Sequence, residues 1–258
     1  MSNPSPASSV EALYRYPVKG LSGELLEQVT VRPGETFPFD RAYAIENGKG
    51  RFDPLSPKHL PKINFLMLMR DERLATLESR FDTDSRVLTI LRDGKQVARG
   101  QLSSPSGRQM IEQFLAAYMQ ASLRGAPRIV SADGHSFSDV AAKCVHIVNI
   151  ASAVDLGRMT GKPVDPLRFR ANIYLDGLPP WQELEWAGRT LRIGEVELKV
   201  FARTERCAAT DVDPATGARD MSIPAALQRS KGHTDFGVYA TIATAGTLRR
   251  GDVVAAGA

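Results

Sequence analysis

Phe201-Ala-Arg-Thr-Glu-Arg-Cys207-Ala-Ala-Thr-Asp-Val-Asp213-Pro-Ala-Thr-Gly217 is the most informative run of the chain. It continues Val196-Glu-Leu-Lys-Val-Phe201, where apolar and charged residues alternate, so a half-buried strand is predicted to lead into it. It ends in Asp213-Pro-Ala-Thr-Gly217, where proline presets φ and glycine accepts φ > 0, so the chain turns there. Cys207 therefore falls in the connection between a strand and a turn, with Arg203 and Arg206 just upstream. Nearby cations favour a thiolate, and a thiolate in a basic surround can serve as nucleophile, redox centre or soft metal ligand. The alternative is a small, inert residue packed beside the strand, as free cysteines often are.

Composition narrows the classes around this run. A chain of 258 residues can bury one large core or two smaller ones. The net charge of +4 comes from scattered Lys and Arg with no basic stripe, which argues against nucleic-acid binding. It suits a pocket for a small anion such as a phosphate. No apolar run approaches the roughly 18 residues of a membrane helix. The start, Met1-Ser-Asn-Pro-Ser-Pro-Ala-Ser-Ser9, is polar and lacks the charged head and apolar centre of a signal peptide, so a cytoplasmic location is expected. Cys144 and Cys207 are the only cysteines. Two thiols cannot make a four-Cys zinc site or hold a plant-type iron–sulfur cluster, and no disulfide is expected in the cytoplasm.

Along the chain, short alternating segments recur between turn signals. Val10–Lys19 reads as a strand stopped by Pro17, with Lys19-Gly20 just beyond. Gly20 would let a backbone N–H approach a ligand beside the Lys19 charge; otherwise this is a surface turn with a solvated lysine. Glu24–Val31 alternates up to Pro33-Gly34, and Phe39–Ile45 is predicted as a strand that Arg41 opens. Arg41 is a two-pronged grip for a phosphate or carboxylate, or a salt-bridge partner of Asp40. Asn47-Gly48 and Asp93-Gly94 signal hairpins, Arg51–Pro61 a loop, and Phe65–Arg70 an apolar strand. Ile111, Phe114, Leu115, Tyr118 and Met119 form one face of a predicted helix over Gly107–Ala121, which is core packing. Arg124–Asp133 clusters turn residues and marks a boundary, giving domains over 1–125 and 126–258.

In the second half, Cys144–Ile150 is a buried run. Cys144 and His146 are placed on opposite sides of it or as near neighbours, with His146 a core histidine. Ser152 is the expected N-cap of a short helix ending at Met159. Phe169–Gly177 is predicted as a strand on which Arg170 and Asn172 share a face, to bind a phosphate or heterocycle or to form a polar rim. A hairpin turns at Gly194, Met221–Arg229 is helical, and Gly237–Ala243 and Gly246–Val254 are strands. Many short strands with few helices predict an α+β, mainly β chain built from barrels or curved sheets. No dinucleotide or phosphate-loop motif is present.

Tyr16-Pro-Val-Lys19, Phe39-Asp-Arg41, Phe169-Arg-Ala-Asn172, Glu205-Arg-Cys207 with Thr210 and Val212-Asp-Pro-Ala-Thr-Gly217, Phe236-Gly-Val-Tyr239 and Gly246–Asp252 resemble the MOSC proteins. That name refers to the C-terminal domain of molybdenum cofactor sulfurase. The likeness spans nearly the whole chain in order. It is to the branch with an N-terminal β-barrel-like domain before the MOSC β-barrel, which includes the mitochondrial amidoxime-reducing component and its bacterial relatives. The resemblance implies a molybdenum cofactor between the two domains, with Cys207 on the metal. Lys19, Gly20, Arg41, Arg170, Asn172, Glu205, Arg206 and Tyr239 are implied around the cofactor, and Asp139 as an acid near the metal that delivers protons. It further implies reduction of N-hydroxylated small molecules with electrons from a separate donor protein, because this chain lacks cysteines for an iron–sulfur domain. The alternative is a non-catalytic carrier of sulfur or cofactor, with Cys207 as a persulfide site. Family descriptions also mention pyridoxal phosphate, but no lysine stands in a recognisable Schiff-base motif. The sequence departs from the family at Gly20 and Ala141, where serines are common, and along Arg51–Asn64 beside the substrate mouth.

Overall fold

A computed structural model describes residues 8–257, so most of the polar start, residues 1–7, lies outside the described residues. The first half carries strands β1 (Ser9–Arg15), β2 (Glu24–Leu26), β3 (Gln28–Val31), β4 (Ala44–Glu46), β5 (Glu78–Asp82), β6 (Val87–Arg92) and β7 (Lys95–Gln101), helix α1 (Pro105–Tyr118) and β8 (Arg128–Val130). The second half carries β9 (Val145–Asn149), α2 (Ile150–Thr160), β10 (Ile173–Asp176), β11 (Thr190–Ile193), β12 (Val196–Glu205), α3 (Ile223–Lys231), β13 (Asp235–Ile242), β14 (Gly246–Arg249) and β15 (Val254–Ala256). The chain is mainly sheet, as its alternating segments predict.

The largest sheet runs β15-β11-β12-β13-β9-β10-β1-β2, antiparallel except for β9 beside β10. Its ends meet. Ser9 bridges Val253, Val10 N–H donates to Asp252 O at 2.9 Å and Val254 N–H to Ser8 O at 2.8 Å, so the sheet closes on itself. Spatial order departs from chain order, because the first strand of the chain seals a barrel made mostly of its last third. The interior takes alternate residues of each strand, among them Leu191, Ile193, Leu198, Val200, Ile147 and Val238. The β3–β14 ribbon adds Val29, Val31 and Leu248. Each such buried side chain contributes about 1.5–3 kcal/mol.

A second core lies under the β5–β6–β7 meander. Here α1 is capped by Ser104, whose Oγ accepts from Gly107 N–H at 3.1 Å, with Pro105 in the first turn. Its predicted face is the one that packs: Ile111, Leu115 and Met119 are buried, Phe114 and Tyr118 half-buried. A third cluster covers the barrel with α2 and α3 over Phe169 and Phe236, whose rings stack at 3.6 Å.

Several local expectations give way to tertiary demands. Phe65–Arg70 is no strand; Phe65 makes one bridge to Glu46 and the chain then turns, with Asp71 Oδ2 accepting from Met67 N–H. Asn47-Gly48 closes no hairpin, because β4 pairs with β8 instead of with a following strand. Arg41 opens no strand, since Phe39 and Arg41 both have positive φ and β4 begins only at Ala44. Asn149, not Ser152, caps α2, accepting from Ala151 N–H at 3.0 Å. Ser152 Oγ instead donates to the buried Glu183 carboxylate. Gly246–Val254 is not one strand: β14 ends at Arg249 and β15 begins at Val254, in different sheets.

Candidate active site

β12 delivers Arg206 and Cys207 to one wall of a cleft of about 430 Å³ between the barrel and the second core. Cys207 precedes a short 3-10 turn, Ala208–Asp211, and its carbonyl accepts from both Thr210 N–H (3.0 Å) and Thr210 Oγ1 (2.9 Å). The buried Arg168 fastens the same turn, donating to Thr210 O, Asp211 O, Asp213 Oδ2 and Asp220 Oδ1. Arg219 ties it to the opposite wall, reaching Ala208 O on one side and Leu68 O, Met69 O and Glu72 on the other. Gly217 has φ +74°, and a Cβ there would stand 2.9 Å from Thr76 Cγ2, so the turn needs glycine.

The facing wall comes from the first half. Lys19 follows the bridge between Val18 and Tyr43 and is buried, with Nζ donating to Phe137 O at 2.9 Å and to Asp139 Oδ1. It is no solvated surface lysine. Gly20 has φ +89° and a Cβ would meet Leu66 O at 3.0 Å, so only glycine lets the chain pass here. Arg41 Nη1 pairs with Asp40 at 2.5 Å, as its salt-bridge reading has it, and the residue borders the cleft. Its Nη2 donates to Arg170 O, and the guanidinium groups of Arg41 and Arg170 both lie over the Tyr16 ring, at 4.7 and 4.4 Å.

Arg170 and Asn172 do not share a strand face. Arg170 is left-handed (φ +52°) and ends a 3-10 turn, and β10 begins only at Ile173. Both residues border the cleft, but the Asn172 amide is engaged by the scaffold, donating to Tyr14 O and accepting from His146 N–H. Arg206 donates to Phe169 O at 3.0 Å, while its Nε is buried with no partner among the described residues. Tyr239 lines the cleft from β13, stacked on Phe201, and burial raises its phenol. Glu205 is exposed at the edge.

Charge is unevenly spread. Burial alone would raise the Asp139 carboxyl, but the Lys19 ammonium, helped by Lys62, holds it well below the usual carboxylate range. Burial pulls Lys19 down from the usual lysine range against that same carboxylate. Cys144 and His146 border the cleft together, two residues apart, and not on opposite sides of their strand. Burial pushes the Cys144 thiol up to about 12, and burial plus Arg206 and Arg41 keep His146 neutral.

Sequence reasoning missed two residues here, Arg168 and Lys62. Arg168 had no signal beyond its place before Phe169. His146 is the buried core histidine its apolar neighbours predict, with ring contacts to Arg206 and Phe236 O, both at 3.4 Å. Lys62 lies in the stretch that departs from the family, yet its Nζ donates to Cys207 Sγ at 3.3 Å and stands 3.7 Å from Asp139 Oδ2.

The profile of the MOSC domain matches residues 132–255, and that of the MOSC N-terminal beta barrel domain matches residues 7–126. Together they span nearly the whole chain, and the protein belongs to the MOSC family, in the branch that carries both domains. Among curated proteins it is similar to mitochondrial amidoxime reducing component 2 of Rattus norvegicus, 34% identical over 43% of this chain and 36% of the relative. It is also similar to molybdenum cofactor sulfurase of Caenorhabditis elegans, 37% identical over 36% of this chain and 13% of the relative. The matched region is about a third or less of these relatives' own length. Among solved structures it is similar to the YUAD protein of Bacillus subtilis, at 12% identity, TM-score 0.44, and 96% and 94% coverage of the two chains.

Proposed function

We propose that the protein is a molybdenum-cofactor enzyme that removes oxygen from N-hydroxylated small molecules, amidoximes among them, using electrons from a separate protein. The observation that carries this reading is the cleft, in which one anchored thiol, Cys207, faces a set of buried and half-buried cations. The relatives named for amidoxime reduction supply the reaction class.

The residues fit such a cofactor by their donor chemistry. Cys207 offers one soft ligand, and among the described residues no group of three or more His, Cys, Asp and Glu is placed to hold a bare ion. A metal on Cys207 would have to bring its other ligands with it, as a metal–organic cofactor does. Lys19, Arg41, Arg170 and Arg206 supply the positive charge that a terminal phosphate needs, and Arg206 Nε is a buried donor still to be paired. Gly20, Asn172, Glu205 and Tyr239 complete the border. When bound, the cofactor supplies the two-electron chemistry.

Breaking one N–O bond with loss of water consumes two electrons and two protons. The ionised Asp139 has no proton of its own to give. It acts as a relay, accepting from Lys19 Nζ and standing beside Lys62 Nζ, both of which carry protons. The neutral His146 and protonated Cys144 leave the positive field of the cleft to the lysines and arginines.

The test is molybdenum per chain, in protein made in cofactor-replete cells, beside Cys207→Ala. About one metal per chain, lost in the variant together with amidoxime reduction, is expected. Metal and turnover both retained without the thiol would overturn the proposal. Metal held and passed to an acceptor protein without turnover would establish a carrier instead.

A further inference from the structure

We propose that Lys62 is a specificity residue, and that it makes the site favour substrates that carry an anionic group beside their N–O bond. The substrate class rests on the function proposed above; recognition of an anion at Cys207 does not.

Three cations around the cleft are committed to the protein, while Arg170, packed over the Tyr16 ring, and Arg206, whose Nε is unpaired among the described residues, are the ones left for a cofactor phosphate. Lys19 is taken by Phe137 O and Asp139, Arg41 by Asp40 and Arg170 O, and Arg168 by two aspartates and two carbonyls. Among the described residues, the polar partners of Lys62 Nζ are both in the site itself, Cys207 and Asp139. Its stem is fixed while its head is adjustable. Asn47 N–H donates to Asn64 O at 2.9 Å, Phe65 N–H to Lys62 O at 3.0 Å, and the Arg124 guanidinium to Ile63 O, which hold the turn at 62–64. The side chain remains 33% exposed. A four-carbon stem ending in a rotatable ammonium can swing between partners without backbone movement.

The Lys62 ammonium is partly in solvent and stands 3.7 Å from the Asp139 carboxylate, a setting that suits a cation. A metal on Cys207 Sγ would draw charge from the sulfur and weaken it as an acceptor, leaving Lys62 to share Asp139 with Lys19. The three donors of the ammonium would then include one for an incoming oxyanion. Met67, Met69 and Phe201 border the same cleft and offer apolar contact to the body of such a molecule. The class indicated is an N-hydroxylated compound with an apolar body and a carboxylate or similar anion.

The first test uses metal-free protein and two alkylating reagents, iodoacetate (anionic) and iodoacetamide (neutral). Each forms an S–C bond at Cys207 and expels iodide, so the ratio of their rates cancels the intrinsic reactivity of the sulfur and reports anion recognition. Cys144 is buried, and Cys207→Ala supplies its background. The iodoacetate-to-iodoacetamide ratio is expected to fall about threefold or more in Lys62→Met and to be largely kept in Lys62→Arg. An equal ratio in wild type and Lys62→Met overturns the proposal. In the loaded enzyme, the kcat/KM ratio for a carboxylate-bearing amidoxime over its neutral parent should fall in Lys62→Met. An unchanged ratio there overturns the substrate assignment. Loss of all turnover in the wild type would instead overturn the proposed function and leave the alkylation result standing.

Discussion

The turn that carries Cys207 and the loop that leads to Lys62 border the same cleft, and they are held in opposite ways. The first, residues 206–219, is tied at nearly every step: by Arg168 from beneath, by Arg219 across the cleft, and by Asp213 Oδ1, which accepts from Ala215 N–H, Thr216 N–H and Thr216 Oγ1. The second runs exposed from Asp53 to His59, and Leu55 is 93% exposed. It is anchored at its start, where Glu46 accepts from Arg51 and Phe52 N–H, and at its end by the turn at Lys62. The difference suits the two proposed tasks. A metal ligand must sit within a narrow tolerance and needs a rigid shell. A residue that meets varied substrates needs a fixed base and a free end.

The sharpest way to break the contrast is Arg168→Met. It removes four hydrogen bonds and leaves two carboxylates and two carbonyls facing a nonpolar side chain. Loss of about 3 kcal/mol in urea unfolding is expected. If Arg168 also positions Cys207, metal loading should fall in the folded fraction as well. Gly217→Ala is the intermediate case, with a strained φ and a contact at 2.9 Å that Thr76 must yield to; about 1–2 kcal/mol is expected in the same measurement. Leu55→Ser is the smallest, within about 0.5 kcal/mol of wild type, because the side chain is almost fully in solvent. A loss at Leu55 as large as at Gly217 would show that the two loops are not held so differently.

The same contrast governs what could be read in advance. At residues 196–217 the local code is dense. Alternation sets the strand face, Pro214 and Gly217 set the turn, and the structure places Cys207 between them as expected. Along 51–64 the code is three prolines and a few charges, enough for a loop and nothing more. Lys62 was invisible because its partner is 145 residues away. Arg41 and Arg170 were found by type and place but set on the wrong backbone. Both sit in left-handed conformations, which cost a non-glycine residue energy that only surrounding contacts repay, here the shared Tyr16 ring and the link from Arg41 Nη2 to Arg170 O.

Sequence by itself determined that this is a mainly β chain, that α1 packs through Ile111 and Leu115, that Cys207 lies between a strand and a tight turn, and that its motifs run in family order. Each of these rests on a period or a turn residue within a few positions, where sterics and burial act locally. Tertiary structure alone decided that Ser9 and Val253 close the barrel, that Lys19, Asp139 and Lys62 gather across from Cys207, and that Arg168 holds the turn from below. Those contacts join residues far apart in the chain. They form only when burial of the separate cores brings their elements together, and no local pattern records which partner each will meet.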